Sequence, residues 1–145
     1  MTHRQMACDL LAFFCASQGL ATLALDLNRT HAANPLWLHH ARFHVVWQAS
    51  TTAALAGMEL ALLFAFGPVT AERFYLVLSL AGLPVFGFFA ALVSKQLYGG
   101  TLSDPNGIRP LMIRQGGKVY RVDLNLVAEI AAIFAIAVIL ILYRY

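Results

Sequence analysis

At 145 residues the chain has room for one domain, yet 60% of it is hydrophobic and only 12% charged, about half the charged share of a soluble domain. A soluble fold of this size cannot hide so much apolar surface, and the mean hydropathy of +0.70 agrees. The net charge of +3 is spread over connecting segments, which argues against a nucleic-acid partner and for membrane lipids, whose anionic headgroups suit basic loops.

Four apolar stretches each reach the roughly 20 residues that cross a hydrocarbon core. They cover about 7–27, 43–66, 74–97 and 122–143, and none alternates as a barrel strand does. The predicted fold is therefore an all-α membrane protein, a single four-helix transmembrane domain over 1–145. The first stretch opens with one Arg4 beside Asp9 and lacks a small-residue cleavage site, so it reads as a retained span and not a signal peptide. Its Cys8 and Cys15 stand two turns apart, about 10 Å, too far for a disulfide; both read as buried thiols. Cys8, Cys15, Gln18, Thr22 and Asp26 share an arc of about 80° on this helix.

The segment after it carries most of the chemistry. Asp26 through His44 holds four of the five histidines: His31, His39, His40 and His44. His40 and His44, spaced i, i+4, project from one helix face, a spacing that suits two ligands of one metal. Asp26 and His31 can complete such a set, and two or three imidazoles with a carboxylate suit Zn²⁺ or non-haem Fe²⁺. The same residues also fit a metal-free catalytic site, with His40, His44 and Asp26 at its centre, or interfacial packing beside Trp37 and Arg42. A bis-histidine haem is not expected, because the other three spans lack histidine. On the purely structural reading of this segment, Asn34-Pro35 starts helix two with Pro in its first turn.

Helix two then places His40, His44, Gln48, Thr51 and Glu59 within about 100°. Two neighbouring helices thus each carry a polar stripe, and the expectation is that the stripes face one another or share a cavity, with Gln18, Thr22, Gln48 and Thr51 read as hydrogen-bonding glue between helices. Glu59 lies about 22 Å beyond His44 along the helix, outside any shared ligand shell. The tight connection at Gly67-Pro68 leads into a third span whose Gly82, Pro84 and Gly87 predict a kink and close helix contact. Helix four carries Asn125 and Glu129 on one face.

The third loop begins at Tyr98-Gly99-Gly100 and passes through Ser103-Asp104-Pro105-Asn106-Gly107, concentrated turn chemistry. Leu111–Gln115 and Lys118–Val122 then flank Gly116-Gly117 and predict a β-hairpin that pairs Ile113 with Tyr120 and Leu111 with Val122. Arg114 and Arg121 fall on the other face. A hairpin this small is marginal alone, so it is expected to lie as a lid on the helix ends. Loops one and three hold seven basic residues, Arg29, Arg42, Lys95, Arg109, Arg114, Lys118 and Arg121, against Arg4, Arg73 and Arg144 on the other side. The positive-inside rule puts loops one and three in the cytoplasm and both termini outside, with a bacterial inner membrane as the expected location.

The strings Thr30-His31, Asn34-Pro35-Leu36-Trp37 and His40-Ala41-Arg42-Phe43-His44, with Tyr98-Gly99-Gly100-Thr101-Leu102 and Asp104-Pro105-Asn106-Gly107, resemble a family of small four-helix membrane proteins of unassigned function. The resemblance spans most of the chain and implies that loops one and three share a site. In outline alone the architecture is similar to the emopamil-binding sterol isomerases. The function expected is a small membrane enzyme or binding protein for an apolar molecule, of lipid, isoprenoid or quinone type. Arg42, Asp104, Asn106 and Arg114 would support the site or contact a headgroup, Trp37, Phe43 and Trp47 would shape the lipid-facing mouth, and Gln48 and Glu59 would lie along the ligand. If no metal is bound, a histidine would move a proton. The rival expectation is a transporter or an accessory subunit of a larger membrane complex. A homo-oligomer fits either.

Overall fold

The computed structural model describes residues 1–145, all of the chain. Its order is α1 (His3–Asp26), α2 (His39–Phe64), α3 (Ala71–Ser94) with a 3₁₀ turn (Lys95–Tyr98), β1 (Leu111–Gln115), β2 (Lys118–Val122) and α4 (Leu124–Arg144). Three segments, His3–Asp26, Ala71–Tyr98 and Leu124–Arg144, are long and apolar enough to cross a membrane. The 26-residue α2 is long enough but is diluted by three histidines, Gln48, Ser50, Thr51, Thr52 and Glu59.

Local chemistry sets the helix starts. Thr2, Thr70 and Asp123 cap α1, α3 and α4 by accepting from first-turn amides, which satisfies otherwise orphaned donors. Helix two starts at His39, with Leu38 as an uncapped N-cap. Pro35 thus lies four residues upstream, inside loop one, and not in the first helical turn as expected. The tight α2–α3 turn depends on Gly67 at φ 72°, a conformation glycine adopts without penalty. There the Arg73 guanidinium donates to the carbonyls of Phe66, Gly67 and Pro68, tying the turn to the start of α3.

α1 packs on α2 and α4, and α3 packs on α2 and α4. Leu11, Cys15, Phe74, Val77 and Ala81 are among the fully buried residues of the core. Phe74 and Tyr143 stack with centroids 3.6 Å apart. The close approach falls at Gly19, where an added Cβ would sit 2.7 Å from the Ala56 Cβ. The glycines of α3 behave otherwise than expected: a Cβ on Gly82 or Gly87 meets nothing within 4 Å, so neither is a contact point. α3 runs unbroken through Pro84.

The hairpin has the expected register, Leu111↔Val122 and Ile113↔Tyr120, turning on Gly116 and Gly117 at φ 57° and 75°. It is not a lid. Every residue from Leu111 to Arg121 is exposed, so both faces of the ribbon are bare.

Candidate functional site

Loops one and three meet. The residue that joins them is Asn34, buried to 3% exposure. Its Nδ2 donates to the Asn106 carbonyl at 2.6 Å and the Thr30 carbonyl at 3.3 Å, and its Oδ1 accepts from the Leu36 amide at 3.0 Å. One amide side chain thereby fixes the turn of loop one and anchors loop three to it. Asp104 shapes the other side of the joint, accepting from the Asn106 amide at 2.7 Å through Oδ1 and from the Gly107 amide at 3.1 Å through its backbone oxygen.

Between the loops lies a cavity of about 250 Å³ bounded by His31, Trp37, Thr101, Leu102, Ser103, Asp104, Gly107, Ile108 and Asn125. Six of these nine carry a polar side-chain group. The segment 101–108, not the hairpin, forms its cover.

A chain of hydrogen bonds fixes the tautomer of His31. The Thr30 amide donates to Asn28 Oδ1 at 2.7 Å, which identifies that atom as the carbonyl oxygen. The Thr30 hydroxyl, 2.6 Å from the same atom, must donate to it, since a carbonyl oxygen only accepts. His31 Nδ1 lies 2.8 Å from that hydroxyl oxygen, so Nδ1 carries the hydrogen and donates. Nε2 is then left with a free lone pair, as in a proton acceptor. Against the imidazole stands Trp37, edge-on with centroids 5.0 Å apart. Its indole N–H is buried and has no partner. A buried donor left unpaired costs about 1–3 kcal/mol.

The remaining expected residues are dispersed. Asp26 ends α1, and its carbonyl accepts from the Ala32 amide at 2.9 Å, close to the cavity but outside its lining. His40 and His44 face each other, Nε2 to Nε2 at 3.0 Å, on the exposed side of α2. No three His, Cys, Asp or Glu side chains converge on a common point. The expected metal set of Asp26, His31, His40 and His44 is therefore not assembled. The cause is rotational: α2 packs through Ala49, Ala56 and Glu59, and His40 and His44 lie on the opposite side of the helix. Arg42 reaches back to His39 Nδ1 at 3.3 Å. Gln48 and Arg114 are exposed, and Asn106 contributes its backbone rather than its side chain.

The polar stripes of α1 and α2 do not face one another. Gln18 of α1 donates to the Ala81 carbonyl of α3 at 3.3 Å, and Thr22 bonds to its own helix. Of the α2 stripe, only Glu59 turns inward. It is fully buried, and neither carboxyl oxygen has hydrogen-bond geometry to any partner. Glu129, one turn past Asn125, has one buried oxygen in the same condition.

No protein-family model matches this chain, and no curated protein or solved structure is significantly similar to it. Its function must be read from the cavity itself.

Proposed function

We propose that the chain is a four-span membrane protein, with α2 as the fourth span, that takes an apolar molecule from the bilayer and holds its neutral, oxygen-bearing head in the cavity between loops one and three. The single observation that carries this reading is the buried, unpartnered Trp37 indole N–H in a wall that also presents His31, Ser103 and Asp104. Trp37, Thr101, Ser103 and Asn125 offer donors, while Asp104 and His31 Nε2 offer acceptors. The Asp104 carboxylate disfavours an anionic head and suits a hydroxyl that both gives and accepts hydrogen bonds. Diacylglycerols and isoprenoid alcohols carry such a hydroxyl, whereas a quinone head can only accept from the cavity's donors.

The His31 tautomer extends the reading from binding to chemistry. Nδ1 is committed to Thr30, and Thr30 to Asn28, so Nε2 is oriented to take a proton from a bound hydroxyl or an activated C–H. Asn34 and Asn28 are positioning residues in this scheme. Alpha2 supports the fourth span by its length, about 39 Å at 1.5 Å per residue, and by packing between α1 and α3.

The test is retention of probe molecules by the protein in nanodiscs, read by native mass spectrometry with dioleoylglycerol, farnesol and decyl-ubiquinone. At least one probe is expected to bind, with affinity reduced about tenfold or more by Trp37→Phe, which removes the N–H, and by Asp104→Ala. Gln48→Ala, outside the cavity, should leave retention unchanged. Equal retention by all four proteins would refute the proposal.

A further inference from the structure

The register of the β1–β2 hairpin sorts its side chains by chemistry. Leu111, Ile113, Tyr120 and Val122 share one face, with Gln115 and Lys118 at the tip. Met112, Arg114, Val119 and Arg121 share the other. The first face pairs apolar groups directly, whereas the second sets its two guanidiniums diagonally across the ribbon. From Ile108 to Val122 the chain holds Arg109, Arg114, Lys118 and Arg121 and no acid. A two-stranded ribbon with both faces bare is marginal in water. Its position in the chain is closely set. Asp123 alone separates Val122 from α4, and it caps that helix by accepting from the Asn125 and Leu126 amides. Because α4 is long and apolar enough to cross a membrane, the root of the ribbon lies at the edge of a span. Five-residue strands reach about 17 Å, so the ribbon either lies along the headgroup layer or stands out into water.

We propose that the hairpin lies flat in the lipid–water interface and binds the anionic phospholipid headgroups of that leaflet. Its Leu111–Ile113–Tyr120 face sinks toward the acyl chains, and Arg114, Lys118 and Arg121 engage the phosphates. Three observations select this occupant. The first is continuity: the ribbon enters a span through one residue, so the leaflet surface is already at its root. The second is the division of its faces, one apolar and one bearing cations, which is how peptides that lie in the interface plane are built. Tyr120 on the sunken face is a residue that favours this depth. The third is charge: four basic residues without an acid, directly before a span, form the pattern that attracts anionic lipid. A wholly apolar cover would strip water from the cations, and a polar one would leave the first face unsatisfied. The edge of a leaflet offers phosphates and acyl chains within a few Å of each other. The segment 101–108 that covers the cavity enters β1 through Arg109-Pro110. A ribbon held among headgroups therefore keeps that cover at headgroup depth.

The inference rests on α4 crossing the bilayer and not on the cavity holding a ligand, and the experiment separates these. In a Cys8→Ala, Cys15→Ala background, Ile113→Cys and Tyr120→Cys probe the apolar face of the ribbon and Val119→Cys the cationic one. Phe134→Cys, ten residues beyond Leu124 and about 15 Å along α4, probes the middle of the span. Each full-length protein carries a nitrobenzoxadiazole label and is reconstituted in phosphatidylcholine vesicles with or without phosphatidylglycerol. Two quenchers are compared: a phospholipid with a nitroxide near the head of its acyl chain, and iodide on both sides of the vesicle. With phosphatidylglycerol present, the lipid nitroxide is expected to quench the labels at 113 and 120 about threefold more than at 119, and iodide should show the reverse order. Omitting phosphatidylglycerol should raise iodide quenching at 113 about threefold, and the Arg114→Gln, Lys118→Gln, Arg121→Gln variant should not respond to that change. Labels at 113 and 120 open to iodide and untouched by the nitroxide would mean a ribbon standing in water, and would overturn the proposal. Shielding from both quenchers would overturn it in favour of a protein cover. Shielding by lipid that is the same with and without phosphatidylglycerol would overturn the headgroup recognition. A lipid nitroxide placed deep in the acyl chain that fails to quench the label at 134 would overturn the span and the hairpin placement together.

Discussion

Replacing Asn34 with alanine removes one small side chain, yet the structure assigns it the joint between two loops 72 residues apart. Three hydrogen bonds disappear, to Thr30, Leu36 and Asn106. At about 1 kcal/mol each the sum is about 3 kcal/mol. Leu36 and Asn106 are themselves exposed, so water replaces part of that loss, and about 2 kcal/mol is the working figure. Because the bonds serve the loops and not the helix core, the loss should appear as local opening and not as global unfolding. Two kcal/mol corresponds to about thirtyfold faster exchange. Hydrogen exchange of the protein in nanodiscs should therefore lose about that much protection at the Leu36, Asn106 and Gly107 amides, while α1 and α3 keep theirs. Asn34→Asp keeps the acceptor for Leu36 but sets a carboxylate against two carbonyl oxygens, and it should open segment 101–108 while sparing Leu36. Unchanged protection at Asn106 and Gly107 in both variants would refute the account of how the cavity is held.

The remaining predictions concern the helix contact, the buried carboxyl and the imidazole. Gly19→Ala is expected to cost about 1–3 kcal/mol of overpacking, measured by unfolding in mixed micelles, and Ala56→Gly in the same chain should restore most of it, since the new Cβ meets the Ala56 Cβ. An additive double variant would contradict that contact. Glu59→Met should leave stability equal or higher, because both carboxyl oxygens are buried without partners and an apolar group of similar shape removes that desolvation cost; a loss above about 2 kcal/mol would mean that Glu59 has a partner. Thr30→Val removes the acceptor of the His31 Nδ1–H, so ¹⁵N spectra of labelled histidine should show the His31 tautomer mixture shift toward Nε2–H. An unaltered tautomer would break the hydrogen-bond relay.

Much of the fold was legible because length and apolarity alone specify a membrane helix. The three helices long and apolar enough to cross a membrane lie within a few residues of expectation, and Gly116-Gly117 set the hairpin register through its turn type. The placement of helix two was misread at Pro35, which belongs to a loop held by Asn34 rather than to a first turn. Angular position gives which residues share a face, as it did for His40, His44 and Thr51, but not where that face points. The direction is set by the Gly19–Ala56 approach, which turns the alanine face of α2 toward α1 and leaves the histidines outside. Spacing along a helix likewise finds a pair of imidazoles but not a third ligand, which must come from another segment. Loops one and three were expected to share a site, and they do touch. The residues that make the joint, Asn34 and the Asn106 carbonyl, were not identifiable, because the importance of each exists only across 72 residues of chain. Thr30 and Asn28 do leave a local signal, the Asn-x-Thr spacing of a side-chain-capped turn.

The most direct measurement follows the Trp37 indole. With Trp47→Phe as the background, Trp37 is the only tryptophan, and ¹⁵N labelling gives one indole N–H resonance in nanodiscs. Adding dioleoylglycerol, farnesol or decyl-ubiquinone should move that resonance downfield for at least one of them, as the free donor finds an oxygen acceptor, and the movement should vanish with Asp104→Ala. A resonance unmoved by all three, or moved equally without Asp104, would contradict a ligand head seated between loops one and three.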